Sequence, residues 1–291
     1  MTTVYLNGEF LPIENACISV LDRGFLFGDG VYEVIPAYGG RLFRLRHHLN
    51  RLQNSLDGIR LDNPLSNTAW QGMLNRLLLK NTPAQGKNTD QSVYLQVTRG
   101  TGRKRDHRFP EHTEPTVYAV SQPLPAIASD NIGGIPAITL ADSRWLHCNI
   151  KAITLLPNVL LRQQAVDQDA EEAILIRNGF ATEGSASNLF IVSDNTLTTP
   201  PKSPQLLPGI TRDLVLELAR KHAVTYREAD IPAESLGHAD EIWVTSSTRE
   251  IMPVILLDGN PVGTGKPGPH WQQMAEYYRQ YKQDIRCGRA E

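Results

Sequence analysis

A single lysine interrupts the apolar stretch WLHCNIKAITLLPN, residues 145–158, and two outcomes are open to it. A buried ammonium costs so much that the group tends to neutralise, and a neutral amine is a nucleophile able to add to a carbonyl carbon. The other outcome is that Lys151 lays its aliphatic stem along the apolar surface and keeps its charge in water. Glu183, in ATEGSASNLFIV, reads on spacing alone as an acidic residue in a turn, and Arg51, in HLNRL, as an exposed helix charge. Arg105 and His107, in RKRDHRFP, form an Arg-x-His pair of the kind common in solvated loops. The stretch LPGITRDLVLELARKH looks like a loop feeding a helix, with Thr211 as its N-cap and Asp213 in the first turn. Backbone amides exposed at such a start suit a phosphate. His47 and His48 lack a further ligand at sensible spacing, which predicts a solvated helix face and no metal site.

These residues need a scaffold. VYLNGEFLP carries Asn-Gly between apolar residues and VYEVIPAYGGRLFRL carries Gly-Gly, so both predict hairpins. Leu45, Leu49, Leu52, Leu56 and Ile59 recur at helical spacing, which predicts an amphipathic helix over residues 46–59 with Arg51 off the apolar stripe. WQGMLNRLLLK predicts a second helix and SVYLQVTRG a strand. TVYAVSQPLPAIASDN starts as a strand and turns into a Pro, Ala and Ser connection. Beyond it the chain predicts a strand GIPAITLA, a helix after Pro157, a strand EAILIR, an Asn-Gly turn at Asn178 and Gly179, and a strand SNLFIV. RCGRAE is the one stretch that reads as a loose tail.

At 291 residues the chain is long for one domain. The composition shift places a small N-terminal domain at 1–121, a connection at 122–131 and a large C-terminal domain at 132–291. With 41% hydrophobic and 21% charged residues and a formal charge of −2, the composition does not suggest nucleic acid or an anionic membrane as partner. The three cysteines, Cys17, Cys148 and Cys287, are widely spaced and predict free buried thiols in a reducing compartment. MTTVYLNGEFLP lacks the basic start and apolar core of a signal peptide, and no run approaches the roughly 20 apolar residues of a membrane span. The expected location is cytoplasmic.

The phrases RGFLFGDGVYEV, HLNRL, RKRDHRFP, CNIKAITLLPNVL, ATEGSASNLFIV, LLPGITRD and VTSSTREIMPV follow one another in that order. Together they resemble the fold-type IV pyridoxal-phosphate enzymes, most closely the D-amino acid aminotransferases. The resemblance runs from about residue 4 to about residue 280. It implies an α/β (α+β) fold of two domains, the small one α/β and the large one barrel-like. It also implies a homodimer, with pyridoxal 5'-phosphate between the domains near the subunit interface.

Carried over residue by residue, Lys151 matches the lysine that forms a Schiff base with the cofactor aldehyde and later shuttles the Cα proton. Glu183 matches the carboxylate beside the pyridine nitrogen, where its charge keeps that nitrogen protonated and the ring an electron sink. Arg51, the amides of Ile210 and Thr211, and the hydroxyl of Ser247 match the phosphate ligands. Tyr32, Arg105 and His107 match the trio that holds the substrate α-carboxylate, the arginine and histidine reaching in from the other subunit. Fixing the carboxylate on one side decides which enantiomer turns its Cα hydrogen to Lys151.

This sequence departs from the family pattern at four places. A basic residue is inserted within GTGRKRDH, so that Arg103 or Lys104 is placed either to compete with Arg105 for the carboxylate or to widen the pocket entrance; Ala186 stands where close relatives often carry serine, Ser247 replaces a threonine, and Pro208 stiffens its loop. The implied activity is transfer of the amino group of a D-amino acid to 2-oxoglutarate in a two-half ping-pong cycle. The alternatives within the fold are a branched-chain L-amino acid or (R)-amine transaminase and an aminodeoxychorismate lyase. The alternative outside enzymes is a protein that binds the cofactor or its phosphate without turnover, which retention of Lys151 and Glu183 opposes.

Overall fold

The computed structural model describes residues 2–82, 90–124 and 133–290. The connection expected at 122–131 therefore lies, from residue 125 on, outside the described residues. The chain divides into two compact units. One is Met1–Ala126 with Ile150–Thr154 and Lys282–Glu291, and the other is Ile127–Asn149 with Leu155–Tyr281.

In the first unit, β1 (Thr3–Leu6) and β2 (Glu9–Pro12) form the expected hairpin, turning at Asn7 and Gly8 with φ of 47° and 102°. Then come α1 (Arg23–Phe27), β3 (Gly30–Tyr38), β4 (Arg41–Leu42), α2 (Leu45–Gly58), α3 (Asn67–Asn81), β5 (Gln91–Thr98) and β6 (Thr116–Pro123). The six strands form an antiparallel sheet in the order β2-β1-β6-β5-β3-β4. Leu49, Leu52 and Leu56 of α2 and Trp70, Leu74 and Leu77 of α3 pack on Val31, Ile35, Val93 and Leu95, so the leucine spacing serves the purpose read from it.

Ile150–Thr154 returns to this unit and lies along β3. The Tyr32 N–H donates to the Lys151 carbonyl at 2.9 Å, the Ile153 N–H donates to Gly30 O at 3.1 Å, and Val31 and Ala152 form an isolated bridge. Gly28 makes this approach possible. It closes α1 in the left-handed region at φ 67°, and a Cβ there would overlap the Thr154 methyl.

The second unit contains β7 (Ile135–Ala141), α4 (Leu156–Val166), β8 (Glu172–Arg177), β9 (Phe180–Gly184), β10 (Asn188–Ser193) and β11 (Thr196–Thr199). It continues with α5 (Ile210–Lys221), β12 (Tyr226–Glu228), β13 (Ile231–Pro232), β14 (Glu241–Ser246), β15 (Glu250–Leu257), β16 (Asn260–Pro261) and α6 (Pro269–Arg286), whose residues from Lys282 on count with the first unit. Its mixed sheet runs β12-β11-β10-β14-β15-β7-β8-β9-β13, with β16 beside β15, and is curled into a half-barrel. Ile174, Leu189, Ile191, Ile242, Val244 and Val254 fill one face. The mixed α/β class and the barrel-like second sheet agree with the expectation.

Several local expectations are corrected. Glu183 is not in a turn: it lies buried near the end of β9, which pairs antiparallel with β8. Gly209, not Thr211, is the N-cap of α5, and Thr211 is buried inside the first turn. His48 is fully buried, and Arg51 is buried too, because both find a carboxylate partner on β3. Only Cys148 is a buried thiol, while Cys17 and Cys287 are exposed. The tail is bonded to the helix before it, since the Cys287 N–H donates to Gln283 O at 3.0 Å and the Arg289 N–H to Asp284 O at 2.8 Å. Among the described residues no helix is long and apolar enough to cross a membrane.

Candidate active site

In the first unit the Lys151 side chain is half-buried, and its Nζ lies 4.1 Å from the centre of the Tyr32 ring. The Lys151 backbone N–H donates to Ser55 Oγ on α2 at 3.1 Å, and Tyr32 stacks on Tyr94 at 5.7 Å between ring centres. The lysine is thus held by its backbone on both sides while its amine stays on the face of a phenol.

Successive strand residues point to opposite faces, so Glu33, next to Tyr32 on β3, faces α2. Its two carboxylate oxygens accept from Arg51 Nε and an Arg51 terminal nitrogen, each at 2.8 Å, a bidentate fork, and one of them also pairs with His48 Nδ1 at 2.8 Å. Burial alone would raise Glu33, but the charge and hydrogen bonds of Arg51, aided by His48, pull it down to about 2. Burial likewise holds His48 below its ordinary value, so it is a neutral ring donating Nδ1–H to the carboxylate. Its Nε2 is then a bare acceptor, buried and without a partner among the described residues. Arg105 and His107 are exposed and make their ring contacts with Phe27: the guanidinium carbon lies 5.2 Å and the imidazole centre 5.3 Å from that ring.

In the second unit the Glu183 carboxylate accepts from Arg144, from Asn188 Nδ2 at 3.0 Å and from the Leu207 N–H at 3.0 Å. Arg144 is in turn gripped by Asp142 at 2.9 Å, and Asp142 also pairs with Arg177 at 3.0 Å. Burial pushes the Glu183 carboxyl up to about 7 in spite of Arg144. A cation brought to its free side would return it to the ionised form. Next to it, Glu172 accepts from the Ala173 N–H at 3.0 Å, the Ser185 N–H at 3.1 Å, Ser185 Oγ, and Ser187 Oγ at 2.9 Å, and so fixes the GSAS loop.

The start of α5 has no capping side chain. A Cβ at Gly209 would overlap Asn188 Oδ1, so the turn before the helix admits only glycine. Thr245 is the cross-strand partner of Asn188 and shares its face, and its buried hydroxyl has no hydrogen-bond partner among the described residues. Ser247 is half-buried in the turn between β14 and β15.

These donors fit the cofactor that the resemblance implies. Unsatisfied helix amides and an orphaned hydroxyl suit a phosphate, a buried carboxylate poised near 7 suits a protonated ring nitrogen, and an amine suits an aldehyde. The first unit brings together Lys151 and Tyr32, with Arg51 one strand residue away through Glu33. The second gathers Glu183 with Asn188 and, through Asn188, Gly209 at the start of α5. Sequence reading missed Glu33, His48, Arg144, Asn188 and Glu172. A signal for the first two existed: Val31, Glu33 and Ile35 alternate onto one strand face, and His48, Arg51 and Ser55 recur along one helix face. Nothing local marks Arg144 or Asn188.

Comparison with known proteins gives the same direction. The sequence pattern of the amino-transferase class IV family matches residues 30–257. The chain is 39% identical to a D-alanine aminotransferase of Bacillus licheniformis over 266 residues, 91% of this chain and 92% of that protein. It is 37% identical to one of Staphylococcus haemolyticus, covering 97% and 98%. Among solved structures, the branched-chain amino acid aminotransferase from Escherichia coli superposes with a TM-score of 0.86 at 27% identity, covering 100% of this chain and 96% of that one. With the family pattern spanning residues 30–257 and near full-length relatives, the chain belongs to the class IV aminotransferases, a family of pyridoxal-phosphate enzymes.

Proposed function

We propose that this aminotransferase works on D-amino acids, releasing the 2-oxo acid and passing the amino group to 2-oxoglutarate in a second half-reaction. The observation that carries the reading is the likeness to D-alanine aminotransferases over nearly the whole chain, and the Lys151 amine beside the Tyr32 ring puts a proton-moving group next to a residue proposed to hold the substrate carboxylate. The 36–39% identity to D-alanine aminotransferases supports it.

When bound, pyridoxal phosphate supplies an electron-withdrawing ring and an aldehyde that stores the amino group between the two halves of the reaction. Lys151 Nζ would take the Cα proton of the substrate and pass it on to the cofactor side. Glu183 would keep the ring nitrogen protonated. Arg51, the amides of Ile210 and Thr211, and Ser247 are the residues that would hold the phosphate, and Thr245 would add a hydroxyl. The Tyr32 hydroxyl, with Arg105 and His107 from a second copy of the chain, holds the α-carboxylate.

A homodimer is part of the proposal. It is supported by Leu156, Val159 and Leu160 on α4, which are 68%, 58% and 54% exposed and form one apolar face. We place the protein in the cytoplasm, where three unpaired thiols are at home.

The test is the first half-reaction, with the loaded protein mixed separately with D-alanine, D-glutamate, L-leucine and (R)-1-phenylethylamine while absorbance follows conversion to the pyridoxamine form. Conversion by the D-amino acids alone is expected. Conversion by L-leucine instead would move the protein to the branched-chain reading, which the likeness to a branched-chain aminotransferase structure favours. Lys151→Ala is expected to abolish both colour and turnover, whereas a mere phosphate binder would keep its affinity.

A further inference from the structure

The loop that carries Arg105 and His107 is exposed, yet its backbone is tied down by a residue more than eighty positions away. Arg23, on α1, is buried, and its guanidinium donates to three consecutive carbonyls of that loop: Asp106 O at 2.6 Å, His107 O at 3.3 Å and Arg108 O at 3.3 Å. Arg23 Nε donates to Asp29 at 2.8 Å. Asp29 is itself clasped by Arg99, whose remaining donors go to Arg60 O at 3.1 Å and Ile59 O at 2.6 Å, and whose guanidinium lies 3.8 Å from the Phe109 ring. The carboxylate locks the two arginines, and the arginines hold residues 106–109 of the loop.

Phe27, one turn along α1 from Arg23, completes the device. Arg23 lies 4.8 Å from its ring centre, and Arg105 and His107 lie against the same ring. The α1 helix is itself fixed by Asp22, which caps it through the Gly24 N–H at 2.7 Å and accepts from Thr98 Oγ1 at 3.0 Å and Thr116 Oγ1 at 2.6 Å. A lysine could not replace Arg23, because a point charge with three clustered donors cannot span a carboxylate and three carbonyls.

From this geometry we infer that Arg23 and Phe27 are positioning residues for substrate-carboxylate recognition: Arg23 sets the backbone of residues 106–108 and Phe27 sets the side chains of Arg105 and His107. The inference rests on the proposal that Arg105 and His107 hold the substrate carboxylate. It adds that α1, which contributes no substrate ligand, decides where they stand.

The test is a double-mutant cycle on the loaded enzyme, using kcat and KM for D-alanine, with thermal melts to check folding. Arg23→Gln is expected to raise KM about tenfold, the scale of a lost hydrogen bond to a charged group, with kcat within about twofold. Arg23→Lys should not rescue it. Phe27→Leu, at a half-buried position that keeps the Arg23 bonds, should raise KM about threefold through looser Arg105 and His107 side chains. In an Arg105→Ala/His107→Ala background both effects should vanish. If Arg23→Gln and Phe27→Leu instead lower kcat without changing KM, or keep their full effect in that background, the positioning role is wrong. If Arg105→Ala/His107→Ala alone leaves kcat/KM for D-alanine unchanged, the reading of the carboxylate site fails first, and the inference with it.

Discussion

Two buried glutamates move in opposite directions, and the difference lies in what surrounds them. Glu33 faces a bidentate arginine and a histidine and falls to about 2, whereas Glu183 shares its arginine with Asp142 and rises to about 7. For Glu33 the folded value lies below the unfolded one, so its stabilisation is fully present above pH about 4.5 and is lost as pH falls through about 2. Its ceiling is about 3 kcal/mol, and about half of that remains near pH 3. Glu33→Gln should therefore lower the melting temperature clearly at pH 7 and much less at pH 3, and melts at the two values decide it. For Glu183 the sign reverses, because its folded value is raised: its contribution is present below pH about 4.5 and is lost as pH rises through about 7. Glu183→Gln should make the cofactor-free protein more stable than wild type at pH 8 and nearly equal at pH 5. The same change should cut transamination about a hundredfold, since a neutral amide does not hold a protonated ring nitrogen. A melt in which Glu183→Gln lost stability at pH 8 would contradict this account.

At the scale of elements, α5 and α2 present charge in different ways. The first offers bare amides beyond a glycine, and the second offers Arg51 braced by Glu33. Gly209→Ala should push Asn188 away and weaken cofactor binding about tenfold, measured by titrating cofactor-free protein with pyridoxal phosphate. Affinity equal to wild type would mean that the turn relaxes without cost. Hairpins, α2 and the strand-helix order of the second half were legible because each is written in local turn chemistry or periodicity. Lys151 was legible as a suspect for the same reason. The strand status of Glu183 was not, since β9 is short, ends in Glu-Gly and exists only by pairing with β8 and β13. The burial of His48 and Arg51 was hidden too. A polar residue on a helix reads as solvated until its partner, fifteen and eighteen residues earlier on another element, is known.

At the scale of the whole molecule, the exposed apolar face of α4 is the test bed for assembly. If the proposed dimer forms through this face, Leu160→Glu should leave a monomer in sedimentation velocity, weakening self-association about a hundredfold and lowering activity with it. A variant that sediments as wild type would move the interface elsewhere. The return of two late segments to the first unit has a further consequence, for the time order in which the protein comes off the ribosome. Arg286 bonds to Asp90 and lies over Tyr38, and Lys282 lies over Tyr38 as well, so the first unit is completed by residues made long after its own strands. Between the emergence of residue 126 and that of residue 282 a ribosome spends roughly 8–30 seconds, long enough for the second unit to begin folding while the first still waits for its final segment. Lys151 therefore enters a wall that is still open, and the segment from residue 282 on is what closes it. A stalled or clipped product that lacks it should be a substrate for proteases before it is ever an enzyme.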